Sequence, residues 1–318
     1  MIPHAFMICL NPTYSTTRRL TAQRPKTLQE IPSSEKRVGD GGLRKQGYYK
    51  ASVPDKPLVT VITAVRNRAY CIEECINSVL AQSYDNVEYI VVDGASSDGT
   101  VDILRKYDDK IDCWVSEPDE GIYHALNKAV AIAGGDWLYF IGSDDLMLDC
   151  LAFIVPVLSS EESIYYGDVF YMGSKRAYNG PFNRYEFFAK GINHQGVFFP
   201  RSVFSRFMYD VSYSIVADRD LCIRCLTDGG YLFKYLPVTV ALYNDIDGIS
   251  AKETRICRAE YRAMIRKRLG IAALPFIGRY SVSDFLELLR CKEPLGKFLR
   301  SAERMLGCRF WRYNAPRQ

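Results

Sequence analysis

Residues 134–149 read GGDWLYFIGSDDLMLD, a short apolar run that stops on two adjacent acids. Trp137 to Ile141 predicts a fully buried strand, because large and β-branched residues sit together with turn residues on both sides. Gly142, Ser143, Asp144 and Asp145 then fall at the carboxyl end of that strand. In open α/β sheets ligands sit at this edge, so two carboxylates there point to a hard cation whose other ligands are phosphate oxygens. Asp also caps helices well, and either acid could simply start the next one. The stretch alone leaves both readings open.

On the amino-terminal side, Leu58 to Val65 (LVTVITAV) predicts a strand buried on both faces. Tyr70 to Gln82 carries Cys71, Cys75, Ile76, Val79 and Leu80 at helical spacing, and Val87 to Val92 returns to a strand that ends on Asp93. A helix at 99–107, a strand at 111–115 and a helix at 122–133 lead into the strand at 137–141. Strands alternating with helices predict an α/β fold with a parallel, doubly wound sheet. Beyond Asp145 the alternation loosens: a helix at 149–158, strands at 163–172 and 196–200, a helix at 218–228, and strands Tyr231–Tyr235 and Val238–Tyr243. A basic helix follows from Lys252 to Arg268, and the helical pattern continues through 282–291 and 294–306. Residues 1–57 are polar and lack periodicity, which predicts a mostly irregular arm.

A chain of 318 residues that is 48% hydrophobic can bury one large core. No apolar run approaches the roughly 18 residues of a membrane span, and MIPHAFMICL lacks the pattern of a secretory signal. The expectation is therefore a cytoplasmic protein with reduced cysteines. Cys222 and Cys225 form a lone CxxC that reads as buried helix packing rather than zinc binding. Charge is segregated: residues 1–50 carry nine Lys/Arg and three Asp/Glu, residues 51–250 carry 16 and 28, and residues 251–318 carry 16 and six. An acidic middle argues against nucleic acid as partner, since a phosphate backbone demands a basic working face.

Two further strand ends carry acids. Asp93 lies in VVDGASSDGT, where a carboxylate beyond a parallel strand can accept hydrogen bonds from a base or ribose and Gly94 allows a tight turn. Asp98 fits a helix cap. Glu117, Pro118, Asp119, Glu120 and Gly121 form the second acidic loop, and Lys128 on the helix behind it could reach a phosphate. His124 and Asn127 read equally well as surface or interhelix groups.

With these pieces in view, the sequence resembles the family-two, nucleotide-sugar-dependent glycosyltransferases of GT-A fold. The matching segments are TVITAVRNR, EECINSVLAQSY, YIVVDGASSDGT, SEPDEGIYHALNKAVAIAGGDWLYFIGSDD, YYGDV, HQGVFF, ADRDLCIRC and GIS, in family order. They span residues 58–251, and the long central segment is closest to bacterial enzymes of surface polysaccharides such as O-antigen and capsule. The resemblance implies a donor half at 58–145, an acceptor half at 146–251 and a basic helical extension at 252–318.

It also implies roles. Thr63, Ala64, Arg66, Asp93, Asp119, Lys128, Asp144 and Ser250 would contact the nucleotide-sugar donor. Asp144, helped by Asp145, would hold a divalent cation, Mg²⁺ or Mn²⁺. Asp218 would be the general base of an inverting transfer, with His194 and Gln195 on the acceptor side. Gly248, Ile249 and Ser250 would fold over the donor. One departure stands out: the family's acid-any-acid metal motif begins with Asp, and Gly142 occupies that place. The acceptor implied is a saccharide, carried on lipid if the basic tail rests on the inner membrane surface. A Rossmann dehydrogenase is disfavoured because no G-x-G-x-x-G follows the first strand. A nucleotidyltransferase should show a Gly-rich loop where AVRNRAY has none, and a non-catalytic sugar-nucleotide scaffold would tolerate Gly142.

Overall fold

The computed structural model describes residues 7–246 and 254–276. Among them run ten strands: β1 (Gly39–Gly41), β2 (Val59–Val65), β3 (Val87–Asp93), β4 (Cys113–Ser116), β5 (Trp137–Phe140), β6 (Leu146–Met147), β7 (Ser163–Tyr171), β8 (Arg176–Tyr178), β9 (Val197–Pro200) and β10 (Leu232–Tyr243). The helices are α1 (Ile72–Leu80), α2 (Thr100–Lys106), α3 (Ile122–Ile132), α4 (Leu151–Ile154), α5 (Arg184–Lys190), α6 (Arg201–Phe204), α7 (Ala217–Thr227) and α8 (Thr254–Leu269). The chain divides into two compact units, residues 1–180 with 192–252 and residues 181–191 with 253–318.

The first unit is built on a single sheet in the order β1-β4-β3-β2-β5-β9-β7-β10-β6, with β8 on β7. Strands β4, β3, β2 and β5 are mutually parallel, as the continuous apolar runs predict, and β7 is parallel to β10. The antiparallel strand β9 joins the two groups. From β2 the chain first builds outward through β3 and β4, then returns to lay β5 on the other side of β2. That reversal creates a crevice beyond the carboxyl ends of β2 and β5, the place where open α/β sheets bind ligands. Helices α1 and α3 turn their apolar faces to the sheet through Cys75, Ile76, Val79, Ala125, Leu126 and Ala129, all buried.

Two expected strands, 231–235 and 238–243, are one. Pro237 lies inside β10, and the register against β7 shifts between Tyr235 and Thr239 and again before Ala241. Proline cannot donate to a ladder, so the strand bulges there and then resumes. The sequence shows this as a gap. CxxC residues Cys222 and Cys225 are buried on α7, as helix packing requires.

Residues 7–57 are irregular, yet they pack with the sheet. Strand β1 pairs antiparallel with β4. Arg44 bonds to Glu88 and, at 2.8 Å, to the Ile132 carbonyl. Lys50 reaches Asp112 at 3.0 Å and the Val87 carbonyl, with both side chains of the pair almost wholly enclosed. Basic residues of this arm thus help to anchor it. In the second unit, Asn183 and Glu186 form a capping box on α5, and the Tyr261 hydroxyl donates to the Phe188 carbonyl at 2.8 Å. Phe188 and Tyr185 pack against Phe276. The helices expected at 282–291 and 294–306 lie outside the described residues. No helix among the described residues is long and apolar enough to cross a membrane.

Burial pushes the Asp112 carboxyl up to about 6 even beside Lys50, and lowers the Lys50 ammonium, so enclosure outweighs mutual attraction. Removing one partner leaves the other charge enclosed and unpaired. Asp112→Ala is expected to cost about 3–5 kcal/mol in urea unfolding, and Asp112→Ala with Lys50→Met to recover most of that loss. Equal losses in the single and double variants would contradict this.

Candidate active site

A cavity of about 320 Å³ opens in the crevice beyond β2 and β5. Its floor comes from Ala64, Val65 and Arg66 at the carboxyl end of β2 and from Gly142 to Asp145 after β5. One wall is Asp119, Gly121, Ile122 and Ala125 at the start of α3; the other is Gln195 with Tyr243 and Asn244 at the end of β10. Arg68 completes the rim. A larger cavity, about 830 Å³, lies at the opposite edge of the sheet between Pro57, Asp85 and Asp136. Those residues precede strands rather than follow them, and ligands of this architecture bind at the carboxyl ends.

The two acids after β5 differ. Asp144 is half-exposed and, among the described residues, makes no hydrogen bond or ion pair. Asp145 is 1% exposed. One of its oxygens accepts from Gln195 Nε2 at 2.9 Å and the other from the Asn244 backbone N–H at 2.7 Å. Burial, reinforced by the charge on Asp144, pushes the Asp145 carboxyl up to about 7, while the bonds from Asn244 and Gln195 work against that rise. Gly142 explains how the carboxylate fits. A Cβ at position 142 would collide with Asp145 Oδ2 and come within 3.2 Å of Asp144 Oδ1. Asp145 therefore fills the space where a side chain at 142 would start.

A second glycine closes the other side of the floor. A Cβ on Gly94 would stand 2.5 Å from Asp119 Oδ2 and 3.2 Å from Arg66 Cδ. Its hydrogen is what lets the loops after β2, β3 and β4 converge. Asp119 in turn accepts from the Gly121 N–H at 3.0 Å, which fixes the start of α3. Arg66 is exposed and has no ion-pair partner among the described residues.

The structure thus brings Ala64, Arg66, Asp119, Asp144, Asp145 and Gln195 to one cavity. It places others elsewhere. Thr63 is fully buried, its hydroxyl 3.1 Å from the Tyr89 hydroxyl. Asp93 is fully buried and accepts from Ser96 N–H at 2.9 Å, from the Ser96 hydroxyl and from the Ser116 hydroxyl at 2.6 Å. Lys128 bonds Glu117 at 3.0 Å, and Arg37 meets the same carboxylate at 3.2 Å. Burial works the other way, but these two cations hold Glu117 below the usual carboxylate range. Ser250, with Gly248 and Ile249, lies outside the described residues.

His194 and Asp218 sit beside the α3 wall. The His194 ring stacks on Phe140 at 4.9 Å, and its Nε2 lies 2.8 Å from the Tyr209 hydroxyl. Burial lowers its pKa, opposed by the charge on Asp218. Asp218 lies in the first turn of α7; its Oδ1 accepts from the Arg219 N–H at 2.8 Å and from the Tyr123 hydroxyl at 3.2 Å. Asp220 turns inward to Arg224 at 2.7 Å. Asn127, ambiguous in the sequence, exchanges two hydrogen bonds with the Tyr209 backbone.

Sequence reading missed Arg68, Tyr123, Tyr243 and Asn244. Arg68 had a signal, its place two residues beyond Arg66. Tyr243 and Asn244 had none, because only the pairing of β10 with β6 and β7 carries them to this edge.

The described residues contain no group of three or more His, Cys, Asp or Glu that could hold a metal ion by themselves. Two adjacent oxygen donors do suit a hard cation that takes its remaining ligands from phosphate and water. The donor set therefore fits Mg²⁺ or Mn²⁺ brought in with an anionic ligand.

The glycosyl transferase family 2 profile matches residues 60–212. Over 203 residues the chain is 31% identical to a PGL/p-HBAD biosynthesis glycosyltransferase of Mycobacterium tuberculosis, covering 61% of this chain and 79% of that protein. This chain belongs to glycosyltransferase family 2. The solved structure of S. aureus TarS in complex with UDP-GlcNAc superposes with a TM-score of 0.55 at 14% identity, covering 78% of this chain and 82% of that one. Mannosyltransferase PcManGT from Pyrobaculum calidifontis, in complex with GDP-Man and Mn²⁺, gives 0.52 at 22% identity over 79% and 74%. These likenesses establish the GT-A fold of this glycosyltransferase.

If a divalent cation binds at Asp144, the raised pKa of the neighbouring Asp145 would make that binding depend on pH. The native carboxyl keeps its proton to about pH 7, whereas the unfolded one loses it near 4, so the native state binds more protons in between and burial of the ionised form costs stability as pH rises. The same ionisation adds negative charge beside Asp144. Mn²⁺ affinity, read by thermal shift or calorimetry with a nucleoside diphosphate present, is expected to rise about tenfold from pH 6 to 8 and to flatten in Asp145→Asn. A pH-independent affinity in the parent chain would contradict this.

Proposed function

We propose that this enzyme moves a sugar from a nucleotide-diphosphate donor to a hydroxyl of a saccharide, with inversion at the anomeric carbon. The observation that carries the reading is the cavity at the sheet reversal, which Arg66 and Arg68 line together with Asp144 and Asp145. A nucleoside diphosphate is an anion that such arginines can hold in register. Asp144, with Asp145 beside it, would hold a divalent cation, which when bound neutralises charge developing on the leaving diphosphate.

The remaining chemistry belongs to the chain. Asp218 takes the proton from the acceptor hydroxyl as its oxygen bonds to the anomeric carbon and the bond to the diphosphate oxygen breaks. A single base opposite the leaving group gives direct displacement and hence inversion. His194, kept neutral by burial, and Gln195 border the acceptor side. We place Thr63, Asp93 and Lys128 behind the cavity wall, as supports for the loops that carry Ala64, Gly94 and Asp119. Closure over the donor by 248–250 would exclude water that hydrolyses it.

For the acceptor, we favour a cell-surface glycan intermediate, in line with the PGL/p-HBAD biosynthesis named for the mycobacterial relative. A lipid carrier presented at the cytoplasmic face of the inner membrane suits the basic residues after 251. Asp218→Asn tests the chemistry: kcat is expected to fall by about 10³-fold with donor affinity changed less than about twofold. Wild-type turnover in that variant would overturn the assignment, and an anomer of retained configuration in the product would overturn direct displacement.

A further inference from the structure

The Tyr123 hydroxyl donates toward the acceptor-side acid, Asp218. The same O–H reaches the Ile215 carbonyl and, at 3.2 Å, Asp218 Oδ1. The Tyr123 ring, 7% exposed, is stacked on Tyr209 with centroids 5.6 Å apart and planes 26° from parallel. Tyr123 follows Ile122 directly, and Ile122, Gly121 and Ala125 line the cavity. One side chain thus connects the donor wall to the turn that presents Asp218.

The two oxygens of Asp218 are treated differently by this arrangement. Oδ1 accepts from Tyr123 and from the Arg219 N–H, and Oδ2 has no hydrogen-bond partner among the described residues. A carboxylate with one oxygen fixed has its rotation about the Cβ–Cγ bond fixed too, which leaves the other oxygen pointing in one direction. Misplacing a reacting group by about 1 Å can cost about 10²-fold in rate.

We propose that Tyr123 is a positioning residue for the transfer reaction: its hydroxyl, shared between the Ile215 carbonyl and Asp218 Oδ1, orients Asp218 so that Oδ2 receives the proton of the acceptor hydroxyl. The proposal rests on the reading of Asp218 as base. It assigns Tyr123 no contact with either substrate and no proton of its own to transfer. It also ties the base to α3, so that the wall against which the donor packs and the acid that activates the acceptor move as one piece.

Tyr123→Phe keeps the ring on Tyr209 and removes only the hydroxyl. With full-length enzyme, at a temperature where near-ultraviolet circular dichroism shows every variant folded, kcat is expected to fall about tenfold while the donor KM stays within about twofold. Combining the change with Asp218→Asn separates positioning from general loosening of the fold. If Tyr123 acts through Asp218, the double variant is no slower than Asp218→Asn alone; two independent losses would multiply. Unchanged kcat in Tyr123→Phe, or multiplying losses, would overturn the positioning role while leaving Asp218 as base. Full turnover in Asp218→Asn would overturn the base, and the positioning role with it.

Discussion

One buried carboxylate holds the two halves of the cavity together. Asp145 stands in the turn between β5 and β6, accepts from Gln195 at the entry to β9 and accepts from the Asn244 backbone at the end of β10. The next two residues form β6, which pairs Leu146 with Leu242 and Met147 with Ala241. The Tyr139 hydroxyl adds a 2.7 Å bond to the Gln195 carbonyl from one layer below. An enclosed charge acceptor with two good donors is costly to leave unsatisfied, so the strand ends are drawn to it rather than to solvent. Without that convergence Arg66 and Asp144 would face open water, and no pocket would exist between the first four parallel strands and the later half.

The same constraint gives a physical sense to Gly142. In sequence it reads as an acid lost from a metal motif. In space it is the vacancy that admits Asp145, since any Cβ there meets Asp145 Oδ2. Acids stand at 144 and 145 rather than at 142 and 144, and Asp145 spends its lone pairs on architecture. Asp144 lines the cavity and keeps its carboxylate unpaired among the described residues.

Much of this was legible in the residues. The buried runs at 59–65, 87–93 and 137–140 named their own strands, and the acids behind them named the working edge. The sequence could not separate acids that line a cavity from acids that hold its walls. Asp93 and Asp144 both follow β-branched or aromatic runs, yet Ser96 and Ser116 saturate Asp93 while Asp144 stays open. Arg44 and Lys50 gave no sign of their buried pairs, because periodicity is silent about charged residues that pair inside a core. Residues brought in by long-range pairing, such as Tyr243 and Asn244, carry no local mark at all.

The central claim is that the crevice between β2 and β5, not the larger cavity at the far edge, is the donor site. A crystal structure of the enzyme soaked with a nucleoside diphosphate and Mn²⁺ addresses it without any variant. The account predicts diphosphate density between the arginines Arg66 and Arg68 and the Asp144 carboxylate. Density beside Lys56, Asp85 and Asp136 at the opposite edge, with the crevice empty, would contradict it.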